Sequence, residues 1–403
     1  MTDDLAILGG PPAYPDGLRQ LRPTLPPYET VGPRWAECFA DGTLTKGPAL
    51  LDYEARLASH LGVRHAVAVS SCTAGLMLVL DRFRGQTAFL PSFTFMATAM
   101  AAAWAGLELV FCDVHPHTWS LDPERVAEAV ERESVGPGEG VVVPVHVYGT
   151  PADTAAFDRL SQAYGLPIVY DAAHGFGACT RGAPVGRQGL AQVFSTSPTK
   201  LLITGEGGVV ATNNDAVAEH VRWGREYGNP GTYDAPFAGF NARLPEAGAL
   251  LGIASLDRLE EEAVRRNQLA AIYRELLSDV PGITFQLVPE GDRCSYKDLS
   301  LTIGPKFGLT RDEVASALAA EGIPARIYYD PPAHRLTAFA SAGQRFHDLL
   351  PVTERLAAQV LSLPLYGSLS NADVETVCSR LRLMHHHAAA VRAALRHANS
   401  STI

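Results

Sequence analysis

The feature that most limits the fold of this 403-residue chain is an alternation that runs through its first half. Short apolar runs, His65 to Val69, Thr87 to Leu90, Leu107 to Phe111 and Val141 to Val145, are separated by segments with helical patterning. The latter are Leu76 to Leu80, an Ala- and Met-rich stretch after Met96, part of Pro116 to Glu131, and Ala152 to Tyr164. Strands that are apolar throughout, alternating with helices, are the pattern of a parallel sheet covered on both faces. The expected fold class is therefore α/β. In open sheets of this class, ligands gather at the carboxyl ends of the strands.

Composition narrows the function. A chain that is 47% hydrophobic can bury a large core and divides into a large and a small domain. A formal net charge of -10 without a basic stripe excludes a nucleic-acid binder. No apolar run reaches membrane-spanning length, and Met1-Thr2-Asp3-Asp4 has none of the basic and apolar regions of a signal peptide, so a cytoplasmic protein is expected. Six cysteines without CxxC spacing suit reduced thiols, not disulfides or zinc. His385-His386-His387 falls in a helical tail, where consecutive side chains point in different directions, so no metal site is assigned.

Two strand ends carry the chemistry. Phe194 to Gly208 runs from a strand through a Ser/Thr/Pro turn to Lys200 and then to a Gly-rich turn. A lysine held on such a loop, among apolar and hydroxyl groups, has a lowered pKa and can attack a carbonyl; otherwise it is a solvated surface charge. Upstream, Pro167 to Gly177 is an apolar run ending in Asp171. An aspartate at a strand's carboxyl end about thirty residues before a loop lysine is what pyridoxal 5'-phosphate (PLP) chemistry asks for: a partner for the pyridine nitrogen and an amine for the aldehyde. Ser70 to Gly75 opens a helix with small and hydroxyl residues, which makes it either an ordinary N-cap or an anion site.

At this point the chain resembles the DegT/DnrJ-type sugar aminotransferases, fold-type I PLP enzymes of the aspartate aminotransferase superfamily. The resemblance runs from Leu8-Gly9-Gly10 to Leu365-Tyr366. It passes through Gly42-Thr43-Leu44-Thr45-Lys46-Gly47-Pro48, Pro91-Ser92-Phe93-Thr94-Phe95, Pro144 to Gly149 and Gly239-Phe240-Asn241-Ala242-Arg243. It implies a large domain with a mostly parallel seven-stranded sheet between helices, and a smaller C-terminal α+β domain. The expected division is an N-terminal arm over 1–30, a PLP-binding domain over 31–278 and the small domain over 279–403, with a long helical stretch from Pro245 to Leu276 packed between domains.

The resemblance also implies roles. Lys200 carries PLP and is the catalytic residue, and Asp171 meets the pyridinium nitrogen. Phe95 stacks on the ring, and His174 sits beside the phenolic oxygen. Thr73, Ser195 and the amides around Cys72 hold the phosphate. Cys72 stands where the family has Gly, and a thiol beside a helix N-terminus is a candidate for an unusually acidic thiol. Asn241 reaches the partner's phosphate in trans, which implies a homodimer. The family uses a His at the substrate mouth, so His334, with Tyr329 in the same Pro-stiffened loop, is expected to touch substrate. His146 and Tyr148, at another strand end, are assigned to packing.

The implied reaction moves an amino group from an amino acid, L-glutamate, to a nucleotide-linked keto-deoxysugar in natural-product or polysaccharide biosynthesis. A keto-cyclitol or other non-nucleotide ketone is an alternative acceptor. A non-catalytic PLP-binding regulator is the alternative from another class. A PLP-dependent sugar dehydratase is disfavoured, because resembling dehydratases replace the lysine that is present here as Lys200.

Overall fold

The computed structural model describes the backbone of residues 5–400 and the side chains of 5–397. Residues 1–4 of the expected arm and 401–403 of the expected small domain lie outside the described residues.

Seven strands form the central layer: β1 (His65–Val69), β2 (Thr87–Pro91), β3 (Glu108–Cys112), β4 (Gly140–Val142), β5 (Val169–Ala172), β6 (Ala191–Ser195) and β7 (Gly208–Thr212). β2 pairs in parallel with β3 and β4, β5 in parallel with β6, and β7 runs antiparallel between β6 and β1. Parallel bridges from Val142 to Ile168 and from Val145 to Asp171 join the two halves, giving the order β3-β2-β4-β5-β6-β7-β1. Six strands thus share one direction and only β7 is reversed. Their residues are almost all buried, as expected of a sheet with helices on both faces.

Helices α1 (Tyr28–Asp41), α2 (Pro48–Leu61), α3 (Cys72–Leu80), α4 (Met96–Trp104), α5 (Pro123–Glu133), α6 (Thr154–Tyr164) and α7 (Asp215–Gly224) belong to this part of the chain. α1 is not visible in the Pro-rich sequence, and Pro33 lies inside it. The single helical stretch expected over 245–276 is two helices, α8 (Glu246–Leu256) and α9 (Leu259–Leu276), interrupted at Asp257-Arg258. α8 has no polar stripe to solvent: Glu246, Ala249, Leu250, Ile253, Ala254 and Ser255 are all buried. The amphipathic stripe expected of the whole stretch is therefore absent from its first half.

A second, antiparallel sheet follows, with β9 (Leu299–Ile303) between β8 (Ile283–Phe285) and β10 (Val360–Leu363). It packs with α10 (Arg311–Ala320), α12 (Asn371–His386) and the second half of α9, through Leu269, Tyr273, Leu301, Val314, Leu361 and Val377. Leu5 belongs to the same core. Tyr14 donates to Asp373 and the amides of Ala6 and Ala13 to Glu321, so the described part of residues 5–30 is tied to this sheet. Conversely Phe339, Phe346 and Leu350, late in the sequence, pack into the core of the large sheet. α11 (Pro351–Gln359) is anchored to the end of β3, where Asp113 accepts from the Val352 and Thr353 amides and the Thr353 hydroxyl. Among the described residues no helix is long and apolar enough to cross a membrane, and no metal-ligand cluster is found.

Candidate active site

The carboxyl ends of β1, β5 and β6 converge on a cavity of about 350 Å³. Its lining includes Cys72, Thr73, Phe95, Asp171, His174, Ser195, Lys200 and Tyr329, eight of the ten residues singled out in the sequence. Each arrives by a local rule. β1 ends in Ser70-Ser71, and the Ser71 hydroxyl accepts from the Ala74 amide at 3.0 Å, capping α3. The serine satisfies one of the helix's first amides, and the remaining open end, at Cys72 and Thr73, forms part of the cavity wall. Both sequence readings of this turn are therefore compatible. The Gly-rich turn is pressed against it: a Cβ on Gly208 would lie 2.5 Å from the Cys72 amide nitrogen, so only glycine permits this approach.

Asp171 ends β5 and is 4% exposed. Its Oδ2 accepts from the Thr98 hydroxyl of α4 at 2.7 Å and its Oδ1 from the Ala173 amide at 3.0 Å. Burial pushes this carboxyl above its ordinary range despite those bonds. Lys200 lies in the turn after β6, where its amide donates to the Ser197 carbonyl. Burial, and then the like charge of Lys297, push its ammonium down to about 8. An amine in that range is substantially free near neutral pH and is nucleophilic. His174 is buried, its Nδ1 has no hydrogen-bond partner, and burial with the Lys200 charge holds it well below its ordinary value, in the neutral form. Phe95 is half exposed and stands in the wall near Tyr329, 6.5 Å between ring centroids. Ser195 lines the floor, and its hydroxyl oxygen is 3.4 Å from the Ser197 amide.

Cys72 departs from expectation. Its thiol is buried, 3.4 Å from the Val193 carbonyl and 3.9 Å from Asp171. Burial and then the Asp171 charge raise its pKa well above the ordinary thiol value, so it is not an acidic thiol. The helix end acts on its amide, whereas its side chain points into apolar surroundings beside a carboxylate.

His334 is not brought to the cavity. It is 2% exposed, with Nδ1 2.6 Å from the Ser92 hydroxyl, Nε2 2.9 Å from Glu354 and its ring near Phe111. The expected substrate contact is thus a buried tie between the 330s loop and the end of β2. Tyr329 does line the cavity, stacked on Tyr148 at 5.7 Å and edge-on to Phe93. Tyr148 and His146 are packing residues, the latter stacked on Tyr170 at 5.2 Å. Asn241 lies outside this cavity, itself exposed and bridged to Glu226.

Sequence reasoning missed Lys297, Asp298 and Tyr328, which complete the wall opposite Lys200. Lys297 Nζ is 2.8 Å from each Asp298 carboxylate oxygen, and both residues are buried. The signal available was an adjacent Lys-Asp pair immediately before the apolar strand β9, a costly place for charges without a purpose.

Known proteins agree with this architecture. Residues 30–382 match the model of the DegT/DnrJ/EryC1/StrS aminotransferase family. The chain is 32% identical over 339 residues to the pleiotropic regulatory protein of Geobacillus stearothermophilus, covering 83% of this chain and 88% of that one. It is 30% identical over 365 residues to the dTDP-4-amino-4,6-dideoxy-D-glucose transaminase of Shigella dysenteriae, covering 90% and 97%. Among solved structures, DesI, determined in the presence of its TDP-sugar product, superposes with a TM-score of 0.90 at 34% identity, over 98% of this chain and all of DesI. With a reversed β7 in an otherwise parallel seven-stranded sheet and a lysine facing an aspartate across its strand ends, the chain belongs to the DegT/DnrJ/EryC1/StrS aminotransferase family.

Proposed function

We propose that the protein binds PLP in the cavity at Lys200 and transfers an amino group from an amino acid, L-glutamate in the first instance, to a nucleotide-linked keto-sugar. The observation that carries this reading is the cavity's incompletely matched polarity: a buried Asp171 carboxyl raised by burial although the Lys200 charge acts on it, an orphaned His174 Nδ1 and a depressed Lys200 amine surround one space of suitable size. These groups fit PLP in kind. Asp171 would meet the ring nitrogen, Phe95 a ring face and His174 the phenolic oxygen, while Thr73, Ser195 and the open end of α3 would take the phosphate. When bound, PLP supplies the aldehyde that accepts the donor's nitrogen and an electron sink for the pair released at the donor's α-carbon. The protein's part is to move the proton: Lys200 Nζ, unprotonated in a useful fraction at neutral pH, takes it from the α-carbon and redelivers it. Asp171 would favour the protonated ring nitrogen, and Tyr329, backed by the buried rings of Phe93 and Tyr148, gives the cavity an apolar wall. Donor and acceptor then use one cavity in turn, which gives ping-pong kinetics.

The acceptor class rests on the relatives. DesI was solved with a TDP-sugar, and the Shigella transaminase is named for a dTDP-linked amino sugar. A homodimer is part of the proposal. Trp35 and Phe39 of α1, together with Phe95, Met96 and Tyr227, are exposed apolar groups that a second copy would cover, and Asn241 would then serve its partner's cavity. The name of the Geobacillus relative keeps a PLP-binding regulator in view; such a protein would hold PLP at Lys200 and transfer no amino group from any donor.

The test is to load the protein with PLP, supply L-glutamate and a TDP-linked keto-deoxysugar, and look for the amino sugar by mass spectrometry. Lys200→Ala should abolish the product. Conversion of keto-cyclitols in preference to the nucleotide-linked sugar would replace the acceptor, and indifference to every amino donor would overturn the reading.

A further inference from the structure

We propose that Lys297, steadied by Asp298, takes the α-carboxylate of the amino-acid donor. This inference rests on the aminotransferase reading above and asks which residue recognises the first substrate. An amino acid entering the cavity brings a carboxylate bonded to the same carbon as its reacting amine. Its partner must therefore face the space beside Lys200. The charged residues lining that space are Asp171, Lys200, Glu206, Lys297 and Asp298, and no arginine lines it. Lys200 is committed to the cofactor, which leaves Lys297 as the cation available to the donor.

Geometry suits the task. Two of the three ammonium protons of Lys297 are engaged by the two Asp298 oxygens at 2.8 Å each, which fixes the side chain and leaves a third donor. Both residues line the cavity, and the Lys297 charge is felt by Lys200 and His174 in the same lining. A second cavity, of about 320 Å³, opens from the same wall and shares Thr199, Lys297, Asp298 and Tyr328. It adds Arg19 and Arg326 and no further acid, so an anionic donor would meet a cationic approach.

The experiment follows the two half-reactions of the PLP-loaded protein separately in wild type, Lys297→Arg and the near-isosteric double variant Lys297→Gln/Asp298→Asn. The double variant leaves no buried charge unpaired. Loss of one charge-assisted hydrogen bond to a carboxylate is expected to raise the L-glutamate concentration for half-maximal rate about 10- to 100-fold. The limiting rate and the half-saturating keto-sugar concentration should change only a few-fold, and Lys297→Arg should recover part of the loss. Calorimetric binding of glutarate, which has no amine to react, should weaken by the same factor. An unchanged glutamate dependence in the double variant overturns the inference. So does a rise confined to the keto-sugar, which would assign the pair to the substrate's phosphates. A wild-type protein that ignores every amino donor overturns the aminotransferase reading itself, a failure visible before any variant is compared.

Discussion

Asp171 and Glu246 are both buried carboxylates, 4% and 1% exposed, and the protein treats them in opposite ways. Glu246, the first residue of α8, accepts three backbone amides: Gly47 and Leu50 at Oε1 and Ala49 at Oε2, all within 3.1 Å. It closes the N-terminus of α2, where oriented amides and the helix dipole favour negative charge. Asp171 accepts one amide, one hydroxyl and one distant thiol, and its carboxyl stays above its ordinary range. Glu246 is saturated by the scaffold, whereas Asp171 keeps unused capacity and faces a cavity. Scaffold charges in this protein are matched internally, and the site is where matching is left incomplete, as a ligand-binding site requires.

The sharpest way to break that contrast is to neutralise each carboxylate. Asp171→Asn should lower amino transfer about 10²- to 10³-fold, the cost of losing a buried charged partner expressed as rate. It should not destabilise the unloaded protein. A carboxyl raised on folding contributes most stability at low pH and loses it as pH rises through the folded pKa, so removing the charge relieves a penalty at neutral pH. Glu246→Ala should do the reverse. Three amides at the start of α2 lose their acceptor, costing roughly 3–5 kcal/mol in denaturant unfolding, with little change in turnover of the folded fraction. Equal losses of stability in both variants would erase the distinction.

How far the sequence reveals this depends on the same difference. Lys200, Asp171 and the Ser71-Cys72-Thr73 turn are legible because each sits at a strand end, where local patterning alone fixes the position. The apolar runs of the seven strands are legible for the same reason, but the reversal of β7 is not, because the twelve residues between β6 and β7 would allow either direction. Lys297 and Asp298 are not legible. They come from the second sheet, nearly one hundred residues after Lys200, and only tertiary packing turns them toward it. His334 misleads in the opposite sense. Its position in a Pro-rich loop suggests exposure, but Ser92 and Glu354 supply partners that draw the ring inward. The break at Asp257-Arg258 is missed because nothing there but geometry forbids a continuous helix.

A smaller effect probes the field inside the cavity. The Lys200 amine should titrate near pH 8 in the unloaded protein, read from the pH dependence of PLP capture. Between that value and the ordinary 10.5 the unfolded chain binds the extra proton, so this group makes the unloaded protein more stable as pH rises through that window. Lys297→Gln removes a like charge and leaves Asp298, so the capture midpoint should move up by roughly 1 unit. A midpoint that does not move would mean burial alone sets the amine, and the two lysines would not share one field.

The smallest expected effect is at Cys72, the first residue of α3. The thiol adds the weakest of the three donors to Asp171, at 3.9 Å, and its own proton is held firmly by burial. Native protein treated with iodoacetamide at pH 8 should therefore lose Cys38 and Cys179, which are only half-buried, before Cys72. Cys72→Ala keeps the backbone of α3 and removes only the sulfur, so turnover should stay within about threefold and stability should fall by about 1 kcal/mol for the lost packing. Cys72→Gly adds to this the entropic cost of glycine in the first turn, again about 1 kcal/mol. These expectations follow from assigning the anion-binding power of this turn to its amides and leaving the side chain to the scaffold. A loss of more than tenfold in Cys72→Ala, with unfolding unchanged, would place the thiol on the Asp171 side of the comparison. Cys72 would then be a working group of the active site and not part of its scaffold.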